Sequence, residues 1–202
     1  MQDTQRFGGA ALIAAAAGTV LAMAHHPVGA HSGALGPAVH AAMIAFVALT
    51  AFGFASFAAA RGAARPAILA GLVLYASALF GHVGAATING FVVPALAGRG
   101  PGAVDHDIFL LAWEANQALA KLGVIASSFA FLFWSLDFLG RSGAEARVIG
   151  MVGLVAGIAP PALLLAGVIE MDVRGAFLVY AVQAAWGVCV GLHLVRRRAA
   201  LA

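Results

Sequence analysis

Six apolar runs, each near the roughly 20 residues needed to cross about 30 Å of hydrocarbon, follow one another at about 7–24, 37–60, 66–93, 106–136, 147–169 and 175–195. Their separators carry turn chemistry: His26-Pro27 and Gly36-Pro37, Arg61-Gly62 to Arg65-Pro66, Gly98 to Gly102, Gly140 to Gly143, and Asp172 to Gly175. The pattern predicts an all-α integral membrane bundle of six transmembrane helices, a single domain over 1–202. The third and fourth runs exceed one bilayer crossing, which predicts tilt or protruding ends.

Composition excludes the alternative of a water-soluble fold. The chain is 63% hydrophobic and 9% charged, with a mean hydropathy of +0.98, against roughly one-quarter charged residues in soluble domains. No stretch is polar enough for a separate aqueous domain, so the bundle must hold whatever function exists. Arg6, an apolar run and Ala22-Met23-Ala24 mimic a secretory leader; the segment is read here as a first membrane helix. Cys189, the one cysteine, lies in the last run and removes any intrachain disulfide or CxxC motif.

Arginine gives the bundle a direction. Arg6, Arg61, Arg65, Arg141, Arg147 and the tail Arg196-Arg197-Arg198 fall on one side, and Arg99 and Arg174 on the other. Eight against two places both termini in the cytoplasm, as expected for a multi-pass protein of a bacterial inner membrane. The arginines are topology signals between apolar runs, so nucleic acid is not an expected partner. Membrane lipids are, with a homo-oligomer or a larger membrane complex open. Gly153/Gly157 and Gly187/Gly191 are small-xxx-small pairs suited to close helix contact.

With that orientation, His25, His26 and His31 lie in the first outer loop, His40 enters the second run from outside, and His106 starts the fourth, flanked by Asp105 and Asp107. Imidazole and carboxylate are ligands for divalent metals, which makes His25, His26, His31, His106, Asp105 and Asp107 candidate metal ligands; solvated loop histidines are the plainer reading. Groups inside the runs point more sharply to function, because an ionisable side chain in hydrocarbon costs about 3 kcal/mol and usually faces a cavity or partner. Glu114, Gln117 and Lys121 recur at i, i+3, i+7 on the fourth run, and Tyr75, His82 and Asn89 every seven residues on the third. Counted from the outer helix ends at about 1.5 Å per residue, His82 lies roughly 15 Å down, Glu114 roughly 10 Å and Lys121 roughly 21 Å. These residues are the candidate catalytic set, with Tyr180, Gln183 and Gly187 on the sixth run closing the same cavity. Pro160-Pro161 is expected to kink the fifth run.

His40 and His82 are candidate cofactor ligands for haem b, with His40 and an outer-loop histidine, or a single histidine, fitting better than His40 with His82 at their unequal depths. The set therefore predicts an outward-opening polar cavity between the second, third, fourth and sixth runs. It would hold haem or a divalent metal for redox or isomerase-type chemistry on a lipophilic small molecule. An accessory subunit of a larger complex and a proton-coupled small-molecule transporter remain alternatives.

Arg6-Phe7-Gly8-Gly9, His26-Pro27, His40 and the closing Gly191-Leu192-His193-Leu194 resemble the small six-helix bacterial membrane proteins of unknown function, a family that implies the fold and no activity. Ala30-His31-Ser32-Gly33 with His40 is similar to the haem-containing styrene oxide isomerases, where a histidine at the outer start of the second helix ligates haem. This chain has two more helices and lacks that family's substrate-binding asparagine, so no site is carried over.

Overall fold

A computed structural model describes residues 2–26, 35–100 and 102–196. All of its regular structure is helical: α1 (Gln2–Ala24), α2 (Leu35–Arg61), α3 (Pro66–Thr87), a π-helical turn (Ile88–Val92) running into α4 (Val93–Ala97), α5 (His106–Leu139), α6 (Ala144–Leu165) and α7 (Val173–Arg196). Among the described residues six helices, counting Pro66–Ala97 as one, are long and apolar enough to cross a membrane. The third overruns its apolar core through the π turn. α5, at 34 residues, is about 51 Å long and projects beyond its neighbours.

The helices close a ring, each packing on the next in the order α1, α2, α3, α5, α6, α7 and back to α1. Small residues set the tightest approaches. A Cβ on Gly191 of α7 would lie 2.7 Å from the Gly9 carbonyl oxygen of α1, and one on Gly81 of α3 would lie 2.5 Å from the Gly123 nitrogen of α5. Bare leucine, phenylalanine and valine point outward, Phe80 and Leu111 each 70% exposed. Large apolar groups on the outside, with glycine at the closest helix contacts, is an arrangement suited to lipid, since tails are as apolar as leucine and only close packing discriminates.

The half of the bundle nearer the arginine loops is filled by aromatic rings. Phe54, Tyr75, Phe131, Trp134 and Trp186 share one buried cluster, with Phe131 and Trp186 centroids 4.6 Å apart. Each indole N–H donates to a carbonyl of a neighbouring helix, Trp134 to Ile68 and Trp186 to Ile149, both at 3.1 Å. Trp134 lies near the end of its helix, yet it is fully buried; its indole is core, not an interfacial anchor. α6 runs helically through Pro160 and Pro161, both buried, and lines neither interior cavity. The proline pair therefore borders neither of the spaces beside the polar residues.

Asp137 closes the arginine end. The buried guanidinium of Arg61, 76 residues earlier, donates to its Oδ2, Arg65 Nη1 lies 2.6 Å from Oδ1, and Arg141 Nε 3.7 Å from Oδ2. Arg61 also lies over the Phe57 and Phe138 rings. Arginine suits such a site because its planar, weakly hydrated fork pairs with a carboxylate and stacks on aromatic faces at once.

Candidate functional site

At the opposite end, two cavities meet inside the ring. The outer one, about 100 Å³, is lined by His26, His40, Asn89, Asn116 and Gln117, with Met23, Met43 and Met171. The inner one, about 90 Å³, is mostly apolar, with Phe54, Tyr75, Phe131, Ser127 and Gln183 in its wall. Met43, His82, Ala86 and Tyr180 border both. The walls come from α1, α2, α3, α5 and α7, so the first helix joins the four expected from the sequence.

His82 stands at the junction. Its ring rests on α5 where Gly123 has no side chain; a Cβ there would come within 2.7 Å of Nδ1. From α7, the Tyr180 hydroxyl lies 3.3 Å from the same Nδ1, with the two rings edge to face. His40 has a similar seat, since Gly90 in the π turn backs directly onto its side chain. π turns occur disproportionately at functional sites, and this one carries Asn89 to the outer cavity and Gly90 to the back of His40. His40 Nδ1 donates to the Gly36 carbonyl at 2.8 Å. A carbonyl can only accept, so the proton sits on Nδ1 and the Nε2 lone pair faces inward. His26 Nε2 lies 3.3 Å from that Nε2.

Side-chain amides fasten the walls. Gln117 Nε2 donates to the Met171 carbonyl at 3.1 Å, tying α5 to the loop before α7. Gln183 Nε2 donates to Ser127 Oγ at 3.0 Å and Ser128 Oγ at 3.2 Å across α7 and α5. A buried amide that reaches two partners resists rotation of either helix.

The structure divides the residues singled out from the sequence. His40, His82, Asn89, Gln117, Tyr180 and Gln183 line the two cavities, and Tyr75 lines the inner one as part of the aromatic core. Glu114 and Lys121 do not join them: both are exposed on the outward face of α5 and border neither cavity. The stripe is real, but Gln117 is its inner edge. At about 100° per residue, the buried face of α5 centres on Asn116, Ala120, Gly123 and Ser127, about 100° or more from Glu114 and Lys121. Their estimated depths shift as well, because α5 overruns the bundle. Measured from Asp137, Gln117 lies about 30 Å along the helix, Glu114 about 34 Å and Lys121 about 24 Å.

The expected metal ligands do not assemble. His25 is exposed and its Nδ1 bonds the Leu21 carbonyl at 2.9 Å. Asp105 caps α5, accepting from the Asp107 nitrogen at 3.0 Å, and His106 and Asp107 are exposed in the first turn. His31 lies outside the described residues. Among the described residues no three histidine, cysteine or acidic side chains come together in a way that could hold a metal ion. Of the two histidines expected as haem ligands, His40 borders the outer cavity alone and His82 borders both, the cavities measuring about 100 and 90 Å³. Asn116, Asp137 and the three cavity methionines are the structurally prominent residues that sequence reasoning passed over. No family model, no curated protein and no solved structure matches this chain.

Proposed function

We propose that this chain is a multi-pass protein of a bacterial inner membrane, with its arginine end in the cytoplasm. In this reading it admits a small lipophilic molecule at the histidine end and sets it against the His82–Tyr180 pair for isomerase-type proton transfer. The observation that carries the reading is the position of that pair at the junction of an outer cavity that carries histidine and amide side chains and a more apolar inner one. An apolar molecule gains by leaving water for the inner chamber, and its reactive part then meets two groups able to exchange a proton. A cavity of about 150 Å³ lined by apolar groups holds benzene, so a molecule of about one ring would span the inner chamber of about 90 Å³ and part of the outer one of about 100 Å³.

The arginine count supports the orientation. The spacing of the two ends supports the membrane placement: Asp137 to Gln117 on α5, and Arg61 to His40 on α2, each span about 30 Å, one hydrocarbon thickness. Glu114 then sits at headgroup level. Lys121, about 6 Å within, reaches it by snorkelling along a stem that points toward the helix N-terminus. Tyr180 and His82 supply the donor and the acceptor that moving a proton between two positions of one molecule needs.

The test uses Gly187, which borders the inner chamber and where an added Cβ meets nothing within 4 Å. Protein purified from membranes should yield a stoichiometric small lipophilic molecule on organic extraction and mass analysis, and Gly187→Leu should yield none. Equal content in the two proteins would sink the reading.

A further inference from the structure

The outer cavity gathers sulfur as well as imidazole. The chain has five methionines, and three of them, Met23, Met43 and Met171, line this one cavity with His26 and His40. The spacing is symmetrical: Met23 and His26 are three residues apart where α1 ends, and His40 and Met43 three apart where α2 begins. The His26 nitrogen bonds the Met23 carbonyl at 3.2 Å, a turn that holds the first pair together. Met171 enters from the loop before α7, its carbonyl held by Gln117.

From this we propose a copper(I) site in the outer cavity, with His26 and His40 as nitrogen ligands and the methionine thioethers completing the shell. Two nitrogens bound at 2.0–2.1 Å with tetrahedral angles stand about 3.3–3.4 Å apart; the His26 and His40 Nε2 atoms are 3.3 Å apart. The Nδ1 of His40 is committed to the Gly36 carbonyl, the outer hydrogen bond that orients metal-binding imidazoles and leaves Nε2, which faces His26, as the unprotonated nitrogen. Thioether sulfur selects Cu(I) over harder ions. Charge agrees: two neutral imidazoles and three thioethers offer no anion, so a monovalent ion is far cheaper to desolvate there than a divalent one. Asp172, on the same wall, is engaged with the Gly175 nitrogen at the start of α7. Met23, Met171 and His40 are buried, while His26 and Met43 are half-buried, which leaves one side for the ion to enter. The site does not rest on the lipophilic-ligand reading: it is centred in the outer cavity and does not use Tyr180, and of its ligands Met43 alone also borders the inner chamber.

Methionines also fill irregular gaps in cores, and the experiment separates that role from ligation. The full chain in detergent, kept reduced, is titrated with Cu(I) against a chromophoric Cu(I) chelator, with Ag(I) as a redox-inert check. One equivalent of each ion should bind, with sulfur and nitrogen both visible in the copper X-ray absorption. His40→Asn should lower the Cu(I) affinity by more than about 100-fold, beyond the loss typical of an outer-shell change. The triple variant Met23→Leu, Met43→Leu, Met171→Leu conserves core volume and should keep the wild-type circular dichroism spectrum and melting temperature while losing Cu(I) affinity at least about tenfold. Less than one equivalent bound by the wild type, nitrogen without sulfur in the absorption spectrum, or unchanged affinity in a correctly folded leucine variant would each overturn the assignment.

Discussion

His82 on α3 and Tyr180 on α7, 98 residues apart in sequence, meet with the phenol oxygen 3.3 Å from Nδ1 where the outer and inner cavities join. Neither helix packs directly beside the other in the ring. The contact crosses the open interior, so it reports whether the ring holds its diameter as well as what the site can do.

Removing the hydroxyl with Tyr180→Phe keeps the ring and loses that bond. The expected cost is about 0.5–1.5 kcal/mol, the net worth of a typical intramolecular hydrogen bond. Thermal unfolding in detergent reads it, and the lipophilic molecule that the proposed function expects to co-purify should leave more readily. A variant as stable as the wild type, with equal retention, would show that the two groups do not interact.

Gly187→Ala should stabilise the protein. Glycine inside a helix costs roughly 0.5–1 kcal/mol relative to alanine, and the new methyl meets open space. The neighbouring Gly191→Ala should do the reverse, because its Cβ would press on the Gly9 carbonyl at 2.7 Å. Opposite shifts in melting temperature at two glycines one helical turn apart are the expected outcome.

Asp137→Asn should be severely destabilising. It withdraws the carboxylate from Arg61, whose side chain is fully buried, and breaking a buried pair from one side costs about 3–5 kcal/mol. The double variant Arg61→Met, Asp137→Leu, which removes both charges, should lose less than Asp137→Asn alone. Expression level and melting temperature of the three proteins check the ordering.

Glu114→Gln should change little, within about 0.5 kcal/mol of stability, as for exposed positions away from special features. Ligand retention should also match the wild type. Gln117→Leu, three residues on, should cost more, because it leaves the buried Met171 carbonyl without its donor. If Glu114→Gln proved the more damaging of the two, the facing of α5 described here would be wrong.

The sequence showed which residues of the site are unusual without showing how they are aimed. His40, His82, Asn89, Gln117, Tyr180 and Gln183 stand out because polar groups are costly within apolar runs, and all line the two cavities. Glu114 and Lys121 stand out for the same reason and face away. Periodicity fixes which residues share a stripe but not where on the ring that stripe points, and α5 is turned by Gly123, which must admit both Gly81 and the His82 ring. The methionines were invisible for a different reason: a thioether is apolar and costs nothing in such a run, so its convergence with two others leaves no mark.

Helix number and approximate span were determined by the sequence alone, since apolar runs of about 20 residues and the turn residues between them mark each helix. The first run begins earlier, at Gln2, the fifth is shifted to Ala144–Leu165, and the third carries a π turn at Ile88–Val92 that no residue pattern announced. The runs expected at 37–60 and 175–195 became Leu35–Arg61 and Val173–Arg196. Tertiary structure alone decided the ring order, the hub at Asp137, the chamber beside Gly187 and the pairing of His26 with His40. Each of these depends on how a helix is rotated about its axis, and that angle is set by the neighbour that can approach most closely, which no single run of residues records.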